Sequence, residues 1–396
     1  MKHIDVSVDF CGVHFENPFI LASAPPTANY DLIKRGFQAG WAAAVIKTIT
    51  HNPYDYFSPR FNSFFKKKTL IAFENIEQIS RRSIGEWVKD IKRLRKEFRN
   101  KVIIGSIMPY LENDEWLKYL FALLDAGASI IELNLSCPHF IDGAVGLTLG
   151  QSPEAINEII TKVKKVADVP ILAKLTSNVT DIVIIGQAGK AAGVNGFTAI
   201  NTHQGLIGID IDTFRPLPVV NGLSCIGGIS GPALKPIALK CIIQLKKYLN
   251  VNISGAGGIT ESRDIIEFIL AGATTVQVAT AVMLYSFDIV KHFQKKLKVY
   301  MKKHNFEKIE DFSGLSVQYL KNPNSIPLIK NIAFSIDATK CSACKKCIIA
   351  CRDGAFNAIE FDEEYNVAFI NEKKCDSCGL CYIVCPTKCI AMNYLS

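Results

Sequence analysis

Nine of the thirteen cysteines in this 396-residue chain crowd between Cys341 and Cys389, and eight of them repeat one spacing. The first run is Cys341-x2-Cys344-x2-Cys347-x3-Cys351, and the second is Cys375-x2-Cys378-x2-Cys381-x3-Cys385-Pro386. In a chain that opens without a signal-type apolar run, such crowding suggests metal rather than disulfides. Three thiolates at intervals of three wrap one face of an iron–sulfur cube, and the fourth reaches the neighbouring cube. That rule gives Cys341, Cys344, Cys347 and Cys385 to one 4Fe-4S cluster and Cys375, Cys378, Cys381 and Cys351 to the other. Structural zinc sites instead use paired C-x2-C knuckles well separated in sequence. Cys389 is left over and reads as a buried thiol beside the second cluster. Between the runs, Ile359-Glu360-Phe361 and Val367-Ala368-Phe369 read as a short hairpin.

A second set of chemically capable residues is spread over positions 1 to 310, each at the end of a short apolar run. They are Lys47-Thr48, Asn134 with Ser136-Cys137, Lys174, Asn201-Thr202, Gly255-Ala256-Gly257-Gly258 and Thr280. The runs that carry them are Phe19 to Ala24, Ala42 to Thr48, Val102 to Ile107, Ile130 to Leu135, Pro170 to Leu175, Gly196 to Asn201, Asn252 to Gly255 and Thr275 to Ala279. Longer amphipathic helical stretches alternate with them. Eight continuous apolar strands, each followed by a helix, predict an α/β chain built on a closed parallel (β/α)8 TIM barrel, whose chemistry sits at the C-terminal strand ends. Glycine amides after the seventh and eighth strands are where such barrels bind a phosphate. The expected organisation is a barrel over 1–310, a linker over 311–330 containing Pro323 and Pro327, and a small α+β two-cluster, ferredoxin-like domain over 331–396.

The charge is uneven. The net charge is +8, with 7 basic against 8 acidic residues from Asn331 onward and 38 against 29 before it. Lysine-rich runs such as Lys66-Lys67-Lys68 have no nucleic-acid motif beside them, so no nucleic-acid partner is expected. No apolar stretch approaches the roughly 20 residues of a bilayer span, so the expectation is a cytoplasmic protein without a membrane partner. No G-x-G-x-x-G occurs among the 26 glycines, which argues against direct nicotinamide binding by this chain.

The tail resembles the bacterial-type ferredoxins over about 60 residues, departing from their pattern where Arg352 stands in place of the proline that often follows the first run. The body resembles the FMN-dependent dihydroorotate and dihydropyrimidine dehydrogenase family. The segments that carry this are Ile131 to His139 (IELNLSCPH), Ala173-Lys174-Leu175-Thr176, Ala199-Ile200-Asn201-Thr202 and Gly257-Gly258, strengthened by Ala22-Ser23-Ala24, Phe73 to Glu77 and Ser177 to Asp181. With the tail included, the chain is most similar to the pyrimidine-reducing, ferredoxin-fused subunits of bacterial dihydropyrimidine dehydrogenases. The resemblance implies FMN in the barrel and Cys137 as general acid or base on a mobile lid running from Pro138 to Gly150. It implies Asn75, Asn134, Asn201 and Thr202 as substrate-binding residues. For the cofactor it implies Ala22, Lys47, Thr48 and Lys174, with Gly228, Gly257, Gly258 and Thr280 around the phosphate.

Two further expectations follow from the family. Dihydroorotate dehydrogenases place an asparagine directly after the Cys-Pro pair, whereas this chain has His139, which favours uracil, thymine or their dihydro forms over orotate. The fused clusters imply a hetero-oligomer with an FAD-containing subunit that oxidises NADH or NADPH. A dihydroorotate dehydrogenase fused to a ferredoxin and a non-catalytic electron-relay flavoprotein are the alternatives. Cys11, Cys225 and Cys241 match no family role and read as core thiols.

Overall fold

The structure is a computed structural model, and it describes residues 4–50, 58–109, 114–136, 146–327, 332–354 and 356–394. The chain divides into two compact units, Met1–Leu320 and Lys321–Ser396.

In the first unit eight strands close a parallel barrel: β1 (Phe19–Leu21), β2 (Ala43–Val45), β3 (Val102–Ile107), β4 (Ile130–Asn134), β5 (Ile171–Leu175), β6 (Gly196–Ala199), β7 (Ile253–Ala256) and β8 (Thr275–Val278). Each pairs with its neighbours in chain order, and β8 closes onto β1 through Val276 opposite Phe19. All eight fall within the runs expected from sequence or one residue beyond. The reason is that both faces of each strand are covered, so apolar residues are selected at every position rather than at alternate ones. Ile103, Ile104, Ile131, Leu133 and Val276 are fully buried, each contributing roughly 1.5–3 kcal/mol of transfer free energy.

The helix Ile84–Glu97 shows how the outer layer is placed. Ser83 and Glu86 form a reciprocal cap, Ser83 Oγ accepting from Glu86 N–H and Glu86 Oε2 accepting from Ser83 N–H, which satisfies two otherwise orphaned donors. Trp87, Ile91 and Leu94, at helical spacing, then face the barrel and are fully buried. Trp87 Nε1 donates to Ser80 Oγ at 2.9 Å, and Ser80 N–H donates to the Thr48 carbonyl at 2.8 Å. Outer packing thus reaches directly to the end of β2.

Two long excursions meet at the same end of the barrel. Strands Phe61–Lys66 and Thr69–Asn75, from after β2, join His203–Gly205 and Gly227–Ser230, from after β6, in a four-stranded antiparallel sheet. Its register sets Asn75 opposite Gly228, and Gly228 opposite Gln204. At the opposite end, the turn of the hairpin Val8–Phe10/Val13–Phe15 lies against the start of β6, with Cys11 Sγ donating to Asn195 O at 3.2 Å.

The stretch 311–330, read from sequence as a linker, is anchored over its first half. Phe312 is fully buried, and Gly314 and Ser316 donate to the carbonyls of Ile269 and Leu270. In the second unit, β9 (Ile332–Ile336) pairs antiparallel with β12 (Ile390–Tyr394). The hairpin β10 (Ile359–Asp362)/β11 (Val367–Ile370) lies between two short helices, Lys346–Asp353 and Leu380–Val384, in chain order. The hairpin stands where alternation placed it, its turn held by Asp362 Oδ1 accepting from Glu364 and Tyr365 N–H. Among the described residues, no helix is long and apolar enough to cross a membrane.

Candidate active site

A cavity opens at the C-terminal ends of the barrel strands, between them and the added sheet. Its walls include Ala22, Lys47, Thr48, Asn75, Asn134, Lys174, Asn201, Thr202, Gly257, Gly258 and Thr280. Strand ends put them there, because the last residue of a parallel barrel strand and the loop after it must emerge on one face.

Thr48 is the hub of a hydroxyl and amide network. Its Oγ1 lies 3.0 Å from Ser23 Oγ and 2.9 Å from Ser106 Oγ, and accepts from Asn134 Nδ2 at 3.1 Å. The ends of β1 to β4 are thereby cross-linked by one side chain. Ser136 Oγ donates to Asn134 Oδ1 at 3.3 Å, while Asn201 Nδ2 donates to the Ser136 carbonyl at 3.0 Å. Asn201 Oδ1 accepts from Thr202 N–H at 2.9 Å. On the sheet above, Asn75 Nδ2 donates to the Gly228 carbonyl at 3.1 Å. Asn134 and Asn201 are therefore oriented by the scaffold, with amide capacity left for a ligand.

Both lysines of the cavity are buried and face acids. Lys47 Nζ lies 3.1 Å from Glu77 Oε1, and Glu77 also binds Arg60. Lys174 Nζ lies 3.7 Å from Glu132 Oε1, a carboxyl with no solvent exposure. Buried pairs of this kind are not a cheap source of stability, since desolvation offsets their attraction.

Gly257, Gly258 and Thr280 share one side of the cavity with Ser230 and Gly231. Ser230 Oγ and Thr280 Oγ1 are 2.9 Å apart. Gly228 does not line the cavity with them. It lies in the added sheet, where a Cβ would collide with Thr202 Oγ1 and approach Asn75 Nδ2 to 3.3 Å. Cys137, His139 and the first part of the expected lid, through residue 145, lie outside the described residues. Ser136, immediately before Cys137, is fully buried in the network just described.

The second unit gathers its thiols around two cavities. One is lined by Cys341, Cys344, Cys347 and Cys385, together with Cys389. The other is lined by Cys351, Cys375, Cys378 and Cys381. The donors in each surround a space instead of converging on a point, and among the described residues no three ligating side chains form a single-ion site. Four thiols around a cavity suit a cube of iron and sulfide, whose irons each take one thiolate. Cys389 stands with the first group, 3.5 Å from Cys385 Sγ, and not beside the second as expected. The cause is that the chain crosses over at Cys385 and then runs into β12 alongside β9, at Ile390 opposite Ile336.

The remaining cysteines divide. Cys241 is buried and its thiol is pushed up to about 11 by burial. Cys11 is partly buried, and burial pushes it up to about 12. Cys225, expected in the core because it matches no family role, is instead exposed, in the excursion between the strands His203–Gly205 and Gly227–Ser230. The sequence reading passed over Glu132, Glu77 and Gln277, all of which border the site. Glu132 carried a signal, being a charged residue in the middle of the apolar run IIELN, where both strand faces are buried.

The closed barrel with its polar strand ends and the two-cavity thiol unit define a (β/α)8 barrel joined to an iron–sulfur-type domain. Residues 5–301 match the dihydroorotate dehydrogenase family, and residues 334–392 match the 4Fe-4S dicluster domain. The chain belongs to the dihydroorotate dehydrogenase family and carries a C-terminal iron–sulfur domain. It is 37% identical over 394 residues to the NAD-dependent dihydropyrimidine dehydrogenase subunit PreA of Escherichia coli K12, covering 98% of this chain and 95% of that one. It is 36% identical over 330 residues to the chloroplastic NADP(+) dihydropyrimidine dehydrogenase of Arabidopsis thaliana, covering 80% and 78%. The catalytic subunit of dihydroorotate dehydrogenase B from Pyrococcus horikoshii is 34% identical over 315 residues, covering 79% of this chain and 98% of its own. These names support oxidoreductase activity for this chain.

Proposed function

We propose that this chain is the catalytic subunit of a dihydropyrimidine dehydrogenase, interconverting uracil or thymine and the 5,6-dihydropyrimidine. The carrying observation is the make-up of the cavity. Three neutral amides, Asn75, Asn134 and Asn201, gather there with Thr202, and both lysines of the wall already face an acid. Amides offer donor and acceptor to the alternating N–H and C=O edge of a neutral pyrimidine. A carboxylate-bearing ring such as orotate asks for a cation without such a partner.

The cavity suits FMN, with Gly257, Gly258, Ser230 and Thr280 as its phosphate cradle and Ala22, Lys47, Thr48 and Lys174 along the ring. Bound FMN would supply hydride exchange at carbon 6, chemistry that no side chain here offers. Lys174 would hold positive charge beside that ring. Cys137, the residue after the fully buried Ser136, would give its proton to carbon 5. Cys341, Cys344, Cys347 and Cys385 would hold one 4Fe-4S cluster, and Cys351, Cys375, Cys378 and Cys381 a second. Electrons would come from an FAD-containing partner that oxidises NADH or NADPH.

The test is anaerobic. The holoprotein is reduced and mixed with uracil or with orotate, and flavin reoxidation is followed by absorbance. Uracil should reoxidise it rapidly and orotate slowly, and a Cys137→Ala variant should lose the uracil response by at least about 100-fold. A faster response to orotate would assign the barrel to dihydroorotate chemistry instead.

A further inference from the structure

Beneath the two lysines the barrel interior holds a carboxyl whose partners are all defined. Glu132 on β4 has no solvent exposure, and its Oε2 accepts from Thr198 Oγ1 at 2.6 Å and from Gln277 Nε2 at 2.8 Å. Gln277 Nε2 also donates to Thr198 Oγ1 at 3.0 Å. The directions of these bonds leave no freedom. Thr198 has one hydroxyl proton and gives it to Glu132, so toward Gln277 its oxygen can only accept. Two acceptors therefore face the same end of the Gln277 amide, and that end must be NH2. The carbonyl is turned the other way. Gln277 is 2% exposed, lines the cavity, and its Oε1 has no hydrogen-bond partner among the described residues.

A buried, unpartnered carbonyl is costly unless something meets it. We infer that Gln277 is a ligand-binding residue whose carbonyl accepts an imide N–H, and that Glu132 is the positioning residue that turns that carbonyl toward the ligand. An N–H flanked by carbonyls occurs both in the flavin ring and in a pyrimidine, so the chemistry is shared by the two molecules proposed for this cavity. The inference rests on the proposed function for the identity of those ligands. Glu132 Oε1 lies 3.7 Å from Lys174 Nζ and has no hydrogen-bond partner among the described residues.

The test measures binding rather than turnover. FMN is titrated into flavin-depleted full-length protein, with flavin fluorescence quenching as the readout, and uracil is titrated into the FMN-loaded protein by perturbation of the flavin spectrum. Gln277→Leu removes the acceptor, and Glu132→Gln removes the element that orients it. If the carbonyl meets the flavin, both variants should weaken FMN binding by about tenfold, the worth of one good hydrogen bond to a buried partner. If it meets the pyrimidine, FMN binding of Gln277→Leu stays unchanged and its uracil binding weakens by that factor. In either case Thr198→Val, which removes the hydroxyl that helps orient the amide and leaves the Glu132–Lys174 contact in place, should add less than about twofold once Gln277 is Leu, because it acts through that residue. Unchanged binding of both ligands in Gln277→Leu, or fully additive losses in the double variant, would overturn the inference. Failure of the unaltered protein to bind FMN at all would instead refute the proposed function.

Discussion

Substitution of Gly258 by alanine separates the two reasons a glycine can be required in the loop after β7. Gly258 has φ +83°, and a Cβ there would lie 2.5 Å from the Lys235 backbone nitrogen and 2.9 Å from Gly231 O and Lys235 Cα. These are backbone atoms and cannot rotate aside. Gly193, before β6, has nearly the same φ, +85°, but nothing within 4 Å of its would-be Cβ. Both substitutions place an alanine in the left-handed region, at roughly 1 kcal/mol. Only Gly258→Ala adds an overlap that displaces the start of the helix Lys235–Leu249, worth about 1–3 kcal/mol more. The expected losses are about 1 kcal/mol for Gly193→Ala and about 2–4 kcal/mol for Gly258→Ala. Urea unfolding followed by tryptophan fluorescence reads them directly, since Trp41, Trp87 and Trp116 are all fully buried in the barrel unit. The midpoint should fall with an unchanged slope. Flavin affinity should drop for Gly258→Ala alone. Equal stability losses in the two variants would refute the packing argument, leaving only the backbone conformation.

Three other outcomes follow from the geometry. Burial pushes the Glu74 carboxyl above the ordinary glutamate range, against the lowering effect of backbone donors at Ile207 and Gly227. The folded state therefore favours the protonated acid, and its advantage is full at low pH and lost as pH rises through the ordinary carboxylate range toward the raised value. The urea midpoint of the wild type minus that of Glu74→Gln should fall as pH rises above the ordinary glutamate value of about 4, and a constant difference would count against it. In the cluster-loaded protein at pH 8, iodoacetamide should reach Cys225 before Cys11 or Cys241. Burial and the Glu74 charge push Cys225 up as well, yet it is exposed, whereas Cys11 and Cys241 stay protonated as well as covered. Peptide mapping showing Cys241 labelled as fast as Cys225 would contradict this. Finally, Cys344→Ala should lower iron from about eight to about four per chain. It should free Cys341, Cys347 and Cys385 for alkylation while Cys351 stays protected, and labelling of Cys351 in their place would break the crossed assignment.

Much of the scaffold was legible because its signals are local. Each barrel strand is covered on both faces, so apolar runs such as Val102 to Ile107 mark themselves, and the helices between them show the 3.6-residue period. Cysteine spacing is equally local: three thiols at intervals of three already describe a face of a cube. The added sheet was not legible. Its strands Thr69–Asn75 and Gly227–Ser230 are some 150 residues apart, and their pairing is decided by backbone hydrogen bonds that leave no mark on composition. Gly228 illustrates the consequence, since its neighbours are Asn75 and Thr202 and not the other glycines. Cys225 was misjudged for the same reason, lying in a segment whose exposure depends on what that sheet leaves uncovered.

By itself, the sequence determined the eight-fold alternation, the residues at the strand ends and the two thiol motifs, because these depend on neighbours a few positions away. The tertiary structure alone decided which polar groups meet. Thr48 joins four strand ends, and the Lys47–Glu77 and Lys174–Glu132 pairs form across strands or loops. The Gln277 carbonyl is left without a hydrogen-bond partner among the described residues because Glu132 and Thr198, from two other strands, claim its amide hydrogens. Such contacts arise only when barrel closure carries distant strands within about 3 Å hydrogen-bond reach of one another, a distance that no local pattern encodes.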